Sequence, residues 1–343
     1  MKRFRKILWI IAGTISILAF AYRNLISYGV AQLRGQLHII CNAHPVEEVM
    51  QDKNIPDSIK QKLLLIQEIR KYAVDSLGLK DSKNYTTYFD QKGKPVLWVI
   101  TACEPFAMKA YQWHFPFLGD VSYKGFFEKE RGIPELEDLK KNGFDTEYGI
   151  AGGWSTLGWF RDPILSSMLR RNDGQIAELI IHELTHATVY LPGSVDYNEN
   201  LATFVGEQGA LRFLKSHFGN ESKELINYQN DQEDEEIYGN YMVASCHKLD
   251  SLYKHLPPNL SLREKYHQKY FFIKDLVIGI HDLNLHKLRR YQFHFPNDHL
   301  PNNAWFMSYN RYRKEQGNFR LQLNTLHGDL KSFMSQIISE SKK

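Results

Sequence analysis

Two histidines four residues apart enclose a glutamate in His182-Glu183-Leu184-Thr185-His186, the stretch of the chain with the clearest chemical capacity. On a helix, residues four apart share a face. Both imidazoles can therefore grip one ion while Glu183, one step round, projects beside an open coordination position as a general base. A third ligand is available in Glu199, near the start of Asn198-Glu-Asn-Leu-Ala-Thr-Phe-Val-Gly206. Two His and one Glu leave the fourth position of a tetrahedral Zn2+ for water, as in hydrolytic rather than structural sites. The expected cofactor is one Zn2+ per chain, and the expected chemistry is hydrolysis of a peptide bond with Glu183 taking the proton from water. Glu207 lies eight residues beyond Glu199 and competes for the third-ligand role. Thr203, one turn after Glu199, is a candidate to hydrogen-bond a ligand imidazole.

Elements must hold these residues. The pattern Ile176, Leu179, Ile180 before His182 predicts a helix from Gly174 to Tyr190, stopped at Pro192-Gly193. Asn198 is the expected N-cap of a second helix reaching about Phe218, which returns antiparallel and carries Glu199 back to the histidines. Upstream, the segment from Leu37 to Ala73 has helical character, with Pro45 opening one piece and Gly78 ending another. Pro95 to Thr101 and Trp113 to Phe117 are expected as strand or extended pieces, and Gly152 to Phe160 as a glycine-bracketed strand ending at Asp162-Pro163. From Ser222 onward the pattern is mostly helical, interrupted at Pro257-Pro258 and between Pro296 and Asn303. The predicted fold class is α+β, predominantly helical, with a small sheet preceding the His-Glu-x-x-His helix. The acidic run Asp231 to Glu236 lacks the spacing and glycine of a calcium loop and is expected as a solvated loop.

The 343 residues suffice for a sizeable core. Formal net charge is +4, and Lys2, Arg3, Arg5 and Lys6 account for all of it. The near-neutral remainder argues against nucleic acid as a partner. Those four cations precede an uncharged apolar run from Ile7 to Tyr22. This is the layout of a signal anchor or a cleaved signal peptide over residues 1–22, followed by a single exported domain over 23–343. The positive flank stays in the cytoplasm. The expected location is the periplasmic face of the cell envelope, tethered to the inner membrane by a transmembrane helix over residues 7–22 unless it is cleaved. Cys41, Cys103 and Cys246 are too few and too scattered for a disulfide framework or a Cys-based zinc site.

His182-Glu-Leu-Thr-His186 followed by Asn198-Glu-x-x-Ala-x-x-x-Gly206 resembles the gluzincin metallopeptidases, thermolysin-like and membrane-alanyl-aminopeptidase-like enzymes. The twelve residues between His186 and Glu199 are fewer than the eighteen or so of those groups. A closer resemblance, spanning nearly the whole exported part, is to the predicted bacterial aminopeptidases usually found as lipoproteins. It rests on Gly35-Gln-Leu-His, Val121-Ser-Tyr-Lys-Gly-Phe-Phe127, Trp154-Ser-Thr-Leu-Gly-Trp-Phe-Arg-Asp-Pro163, the metal motif and Asn302-Asn-Ala304. No lipobox Cys follows the apolar run, which departs from that family. The resemblance implies a thermolysin-like catalytic core, aminopeptidase activity, and an edge strand at Trp154 and Ser155 that pairs with an extended peptide substrate. A transition-state donor is expected from Tyr312, with Tyr309, Tyr190 and Tyr241 as alternatives. Glu104, Glu178 and Glu207 are the candidates to receive a free α-amino group. An envelope endopeptidase and a non-catalytic zinc-binding envelope protein are the alternative functions.

Overall fold

A computed structural model describes residues 2–115, 119–151, 161–191, 193–291, 300–308 and 316–341. The chain divides into two compact units, Met1–Ala43 and His44–Lys343.

The first unit consists of helices α1 (Lys2–Ala21) and α2 (Arg23–Cys41). Asn42 closes α2 by donating from its side chain to the carbonyl of His38 at 2.7 Å. The helix expected over residues 7–22 thus forms within α1. As a membrane span it finds no support, because among the described residues no helix is long and apolar enough to cross a membrane.

The second unit opens with β1 (His44–Pro45), α3 (Val46–Gln51) and α4 (Asp57–Leu77). Helix α4 buries Leu63, Ile66, Ile69, Ala73 and Leu77 along one face and stops at Gly78, whose φ of 72° is the left-handed cap that glycine accepts most readily. Next come β2 (Thr87–Phe89), β3 (Trp98–Cys103), β4 (Trp113–Phe115), β5 (Gly119–Val121), β6 (Lys124–Phe126), α5 (Lys129–Lys141), β7 (Asp145–Ile150) and β8 (Ile164–Leu165). They form three small sheets, in the orders β1-β2-β8, β6-β3-β7 and β4-β5. Strand β3 runs antiparallel to both neighbours, while β2 pairs parallel with β8 in the register Tyr88 to Ile164. The segment Gly152 to Phe160, expected as a strand, lies outside the described residues.

Helices build the rest: α6 (Asp173–Thr188), α7 (Val195–Phe218), α8 (Lys223–Lys254), α9 (Leu262–Gly279), α10 (Leu288–Tyr291), α11 (Asn303–Met307), α12 (Gln316–Thr325) and α13 (Leu330–Glu340). Local chemistry sets their starts. Ser261 and Glu264 form a reciprocal capping box on α9, and Asp329 caps α13 through the amides of Lys331 and Ser332. The architecture is predominantly helical α+β, as expected. One core packs α4, α6, α7 and α13 through residues such as Ile66, Ile180, Phe204 and Phe333. Another packs α8 and α9 around Met242, Leu249, Ile273 and Phe306.

Two expectations are corrected. The acidic run Asp231 to Glu236 is no solvated loop but lies within α8. Its spacing of three turns Asp231 and Asp234 to one buried face. There Asp231 accepts from Asn172 at 2.7 Å and pairs with Lys287, while Asp234 accepts the amides of His286 and Lys287 at 2.6 and 2.8 Å. Buried carboxylates are tolerable because each is met by donors. Asn198 is likewise not an N-cap. Helix α7 begins earlier, at Val195, and the Asn198 side chain instead accepts from the amide of Leu191 and donates to its carbonyl, at 2.9 and 2.8 Å. That pair of bonds ties the connection between α6 and α7 to the first turn of α7.

Candidate metal centre

Helix α6 is built to hold its ligands rigidly. Asn172 caps it by accepting from the amide of Gln175 at 2.9 Å, and Asp173 places an acid at the positive end of the helix dipole. Ile176, Ala177, Ile180, Ile181 and Leu184 bury one side. The hydroxyls of Thr185 and Thr188 fold back onto the carbonyls of Ile181 and Leu184, so these β-branched residues add no unsatisfied polar groups. His182 and His186 project from the other side with interplanar angle 83° and ring centroids 4.7 Å apart.

Helix α7 runs antiparallel and close. Glu199 lies opposite the two histidines, whereas Gly206 lies opposite Glu178 and His182. A Cβ on Gly206 would sit 3.0 Å from the Glu178 carbonyl oxygen and 3.2 Å from His182 Cβ. Glycine at 206 and the buried Ala202 thereby allow the separation of the helices that brings Glu199 to the imidazoles.

The donor atoms converge. His182 Nε2 and His186 Nε2 are 3.1 Å apart, Glu199 Oε1 is 3.5 Å from His186 Nε2, and Glu199 Oε2 is 3.6 Å from His182 Nε2. A tetrahedral zinc with bonds of roughly 2.0–2.1 Å separates its ligand atoms by about 3.3–3.4 Å, and each of these three separations, the two to Glu199 ending on different carboxylate oxygens, lies close to that. Among the described residues, His182, His186 and Glu199 are the His, Cys, Asp or Glu group close enough to hold a metal ion. Burial works against the charge on Glu199, but hydrogen bonding from His182 and His186 outweighs it and holds the carboxyl well below the usual range. Burial also opposes a charged His186, and again Glu199 prevails and raises it. The carboxylate draws positive charge into the gap between the rings, whether proton or metal ion. The residues present therefore fit the Zn2+ the sequence implies.

Glu183 adjoins this triangle on α6. Burial pushes its pKa up, and the neighbouring imidazoles pull it back only in part. Asp162, whose charge adds to burial in raising Glu183, is 1% exposed and lies in the Trp154–Pro163 motif, where the sequence reading assigned it no role at the site.

The other candidates separate. Glu207 is not among the metal-binding group. Its charge adds to the burial that raises Tyr228 and Glu178, the latter one turn before His182. Glu178 accepts from the Tyr228 hydroxyl at 2.9 Å and from Gln232 at 3.0 Å, and burial, then Glu235 and Glu207, push its pKa up to about 8. Glu104 pairs with Lys109 at 3.0 Å near the surface. Tyr241 donates to the carbonyl of Leu276 at 2.6 Å, which commits it to packing α8 against α9, and Tyr190 is exposed. Tyr312, Tyr309, Trp154 and Ser155 lie outside the described residues. Thr203 makes no hydrogen bond to a ligand ring, and among the described residues His186 Nδ1 has no partner although it is buried. His114, His217 and His286 form single ion pairs with Asp120, Glu68 and Glu233. Cys103 and Cys246 are buried free thiols, and Cys41 is an exposed one.

The Asn302-Asn-Ala304 motif proves to be a latch. Asn302 caps α11 and donates to the carbonyl of Thr146. Asn303, fully buried, donates to the carbonyls of Glu104 and Pro105 and accepts from the Tyr253 hydroxyl at 2.7 Å. Its backbone amide donates to Asp145, whose carboxylate also holds the buried Lys269. The motif thus ties β3 and β7 to α8, α9 and α11.

Compared with known proteins, residues 27–342 match the family model described as "Putative aminopeptidase". No curated protein and no solved structure matches the chain.

Proposed function

Because the chain belongs to this aminopeptidase family, which spans nearly its whole length, we propose that it is a zinc-dependent peptidase that removes residues from free N-termini. The observation that supports the zinc dependence is the convergence of the two Nε2 atoms and the Glu199 carboxylate, the imidazoles 3.1 Å apart and each within 3.5 or 3.6 Å of a carboxylate oxygen.

In this reading His182 and His186 offer Nε2 and Glu199 a carboxylate oxygen to one Zn2+. When bound, the ion acts as a Lewis acid on the scissile carbonyl and acidifies water. Glu183 accepts the proton of the attacking water at its carboxylate and returns it to the leaving amine nitrogen. A carboxyl whose pKa is raised by burial is a stronger base than an exposed one, which suits it to take a proton from water. Glu199 would neutralise one of the two positive charges of the ion, and its carboxylate faces both Nε2 atoms, at 3.6 and 3.5 Å. Transition-state stabilisation by Tyr312 and substrate contacts from Trp154 and Ser155 are proposed on the sequence resemblance.

The test is digestion of a peptide library by zinc-reconstituted protein, with Glu183→Gln as control. Stepwise loss of residues from free N-termini, abolished in Glu183→Gln at unchanged zinc content, is the expected result. Cleavage that persists in the variant overturns the mechanism. Cleavage of N-blocked peptides replaces aminopeptidase with endopeptidase. No cleavage by the wild type leaves a zinc-binding protein that acts without catalysis.

A further inference from the structure

A cavity of about 270 Å³ lies where the chain enters β3 and leaves β7, beside the residues that lead into α6. Leu97, Ile150, Leu165 and Met168 give it apolar walls, Lys94, Arg170 and Arg171 give it three cations, and no acid lines it among the described residues. The acids nearest in sequence are engaged elsewhere. Asp173 pairs with Lys62, and Asp90 accepts the amide of Lys92 at 2.9 Å. Lys94 and Arg170 are exposed, and among the described residues neither forms an ion pair.

The cavity is framed by one buried side chain. Gln91 donates its backbone amide to Ser166 Oγ at 3.0 Å, accepts the Ser167 amide on its side-chain oxygen at 2.7 Å, and donates from its side-chain nitrogen to the Lys94 carbonyl at 3.1 Å. The turn that carries Lys94 is thereby tied to the stretch that carries Arg170 and Arg171. Lys62 adds a bond to the carbonyl of Arg171 at 3.2 Å. The backbones of all three cations are held by the fold before any ligand arrives, which lowers the cost of binding.

Three like charges around a small volume favour an anion within it. A bare inorganic anion would leave the apolar walls uncovered, and an uncharged apolar molecule would leave the cations uncompensated. A carboxylate on a small apolar body satisfies both, since guanidinium groups match the carboxylate fork and the walls take the rest out of water. A free ammonium on the same body would lie among the cations and be repelled. That disfavours a free amino acid and selects a residue whose nitrogen is acylated. The volume, at the low end for ligand pockets of about 300–1,000 Å³, suits one terminal residue rather than a long chain.

We propose that this cavity binds the C-terminal residue of a peptide, its carboxylate among Lys94, Arg170 and Arg171 and its side chain against Leu97, Ile150, Leu165 and Met168. The anion chemistry stands on the cavity alone; that the anion belongs to a peptide rests on the peptidase function above.

The test is an NMR titration of the zinc-loaded protein with N-acetyl-leucine, N-acetyl-leucinamide, leucine and inorganic phosphate. N-acetyl-leucine binds about tenfold or more tightly than each of the other three, and added salt weakens it. In the double variant Lys94→Gln, Arg170→Gln its affinity falls about tenfold, as loss of two partly exposed charge pairs does, while Tm stays at the wild-type value because both side chains are on the surface. Ala151→Leu, which adds apolar bulk to the cavity lining and alters no charge, weakens binding to a similar degree. Equal binding of the acid and its amide, phosphate or leucine binding as tightly as the acid, or unchanged affinity in either variant overturns the proposal. Should Ala151→Leu fail to fold, the four ligands on the wild type and on the charge variant decide it. Binding is read without turnover, so the two readings fail separately. A chain that cleaves no peptide but holds N-acetyl-leucine here refutes the peptidase function and leaves the cavity assigned, and one that cleaves peptides without binding it refutes the cavity alone.

Discussion

Gly206→Ala probes how the helix pair sets the metal triangle. In an exposed helix the change stabilises by about 1 kcal/mol, because glycine has the greater backbone freedom to lose. In α7 the new Cβ would meet the Glu178 carbonyl oxygen at 3.0 Å, His182 Cβ at 3.2 Å and His182 N at 3.4 Å. Two of these are the acceptor and donor of one helical hydrogen bond in α6. Neither can rotate away, so the helices must part by a few tenths of an ångström. Overpacking of this kind costs about 1–3 kcal/mol, leaving a net loss of about 0–2 kcal/mol. The larger effect is on the ligands, since α7 carries Glu199 away from rings fixed on α6. Disturbances next to a ligand set lower metal affinity by about 10- to 100-fold, and tenfold, or about 1.4 kcal/mol, is expected here. Competition with a chromophoric zinc chelator measures it, and the rise in Tm on adding zinc shrinks in parallel. Gly209→Ala is the control, because the atoms nearest its Cβ belong to the side chains of Leu77 and Ile181, at 2.9 to 3.0 Å, and not to the backbone. It lowers Tm without changing zinc affinity. Zinc affinity of Gly206→Ala within about twofold of wild type would refute the proposed role of helix separation.

Two further predictions concern residues away from the ligands. Glu178, raised from 4.5 to about 8, keeps its proton in the folded chain over a pH range where the unfolded chain has lost it. Stability therefore falls as pH rises from about 4.5 to about 8, and Glu178→Gln flattens that part of a Tm-against-pH curve. A slope unaltered in the variant would show that another group is responsible. Asn303→Ala strips partners from the Tyr253 hydroxyl and from the carbonyls of Glu104 and Pro105. Chemical denaturation should show a loss of about 1–3 kcal/mol or more, with zinc affinity retained because the latch lies apart from the triangle.

The grouping of His182, His186 and Glu199 was legible because its geometry is local. An i, i+4 pair on a helix meets without knowledge of the rest of the fold, and one antiparallel return suffices to add Glu199. Polar residues whose partners are distant were misassigned. Asp231 and Asp234 belong to a charged run, and only the positions of Asn172, Gln175 and Lys287 make an inward face favourable for them. Asn198 is of the right type for an N-cap, but its bonds to Leu191 required the path of the connection to be known. Asn302 and Asn303 were read as markers of a site region by their proximity in sequence to Tyr309 and Tyr312, yet Thr146 and Glu104, which they bind, lie about 150 to 200 residues earlier.

The short spacer between His186 and Glu199 has a physical resolution in the same bonds. Helix α6 ends at Thr188 and α7 starts at Val195, so six residues reverse the chain. A connection that short restricts how far α7 can rotate and slide against α6. Asn198 removes more of that freedom by binding Leu191 through both its amide and its carbonyl, and Gly206 permits close contact two turns further along. Glu199 follows directly after the residue that anchors the turn. Its register toward the imidazoles is therefore imposed from both sides, by the Asn198 bonds on one and by the Gly206 contact on the other. In a chain with a longer spacer, that register would have to be set by packing alone. Here the connection itself, through Asn198, helps to position Glu199.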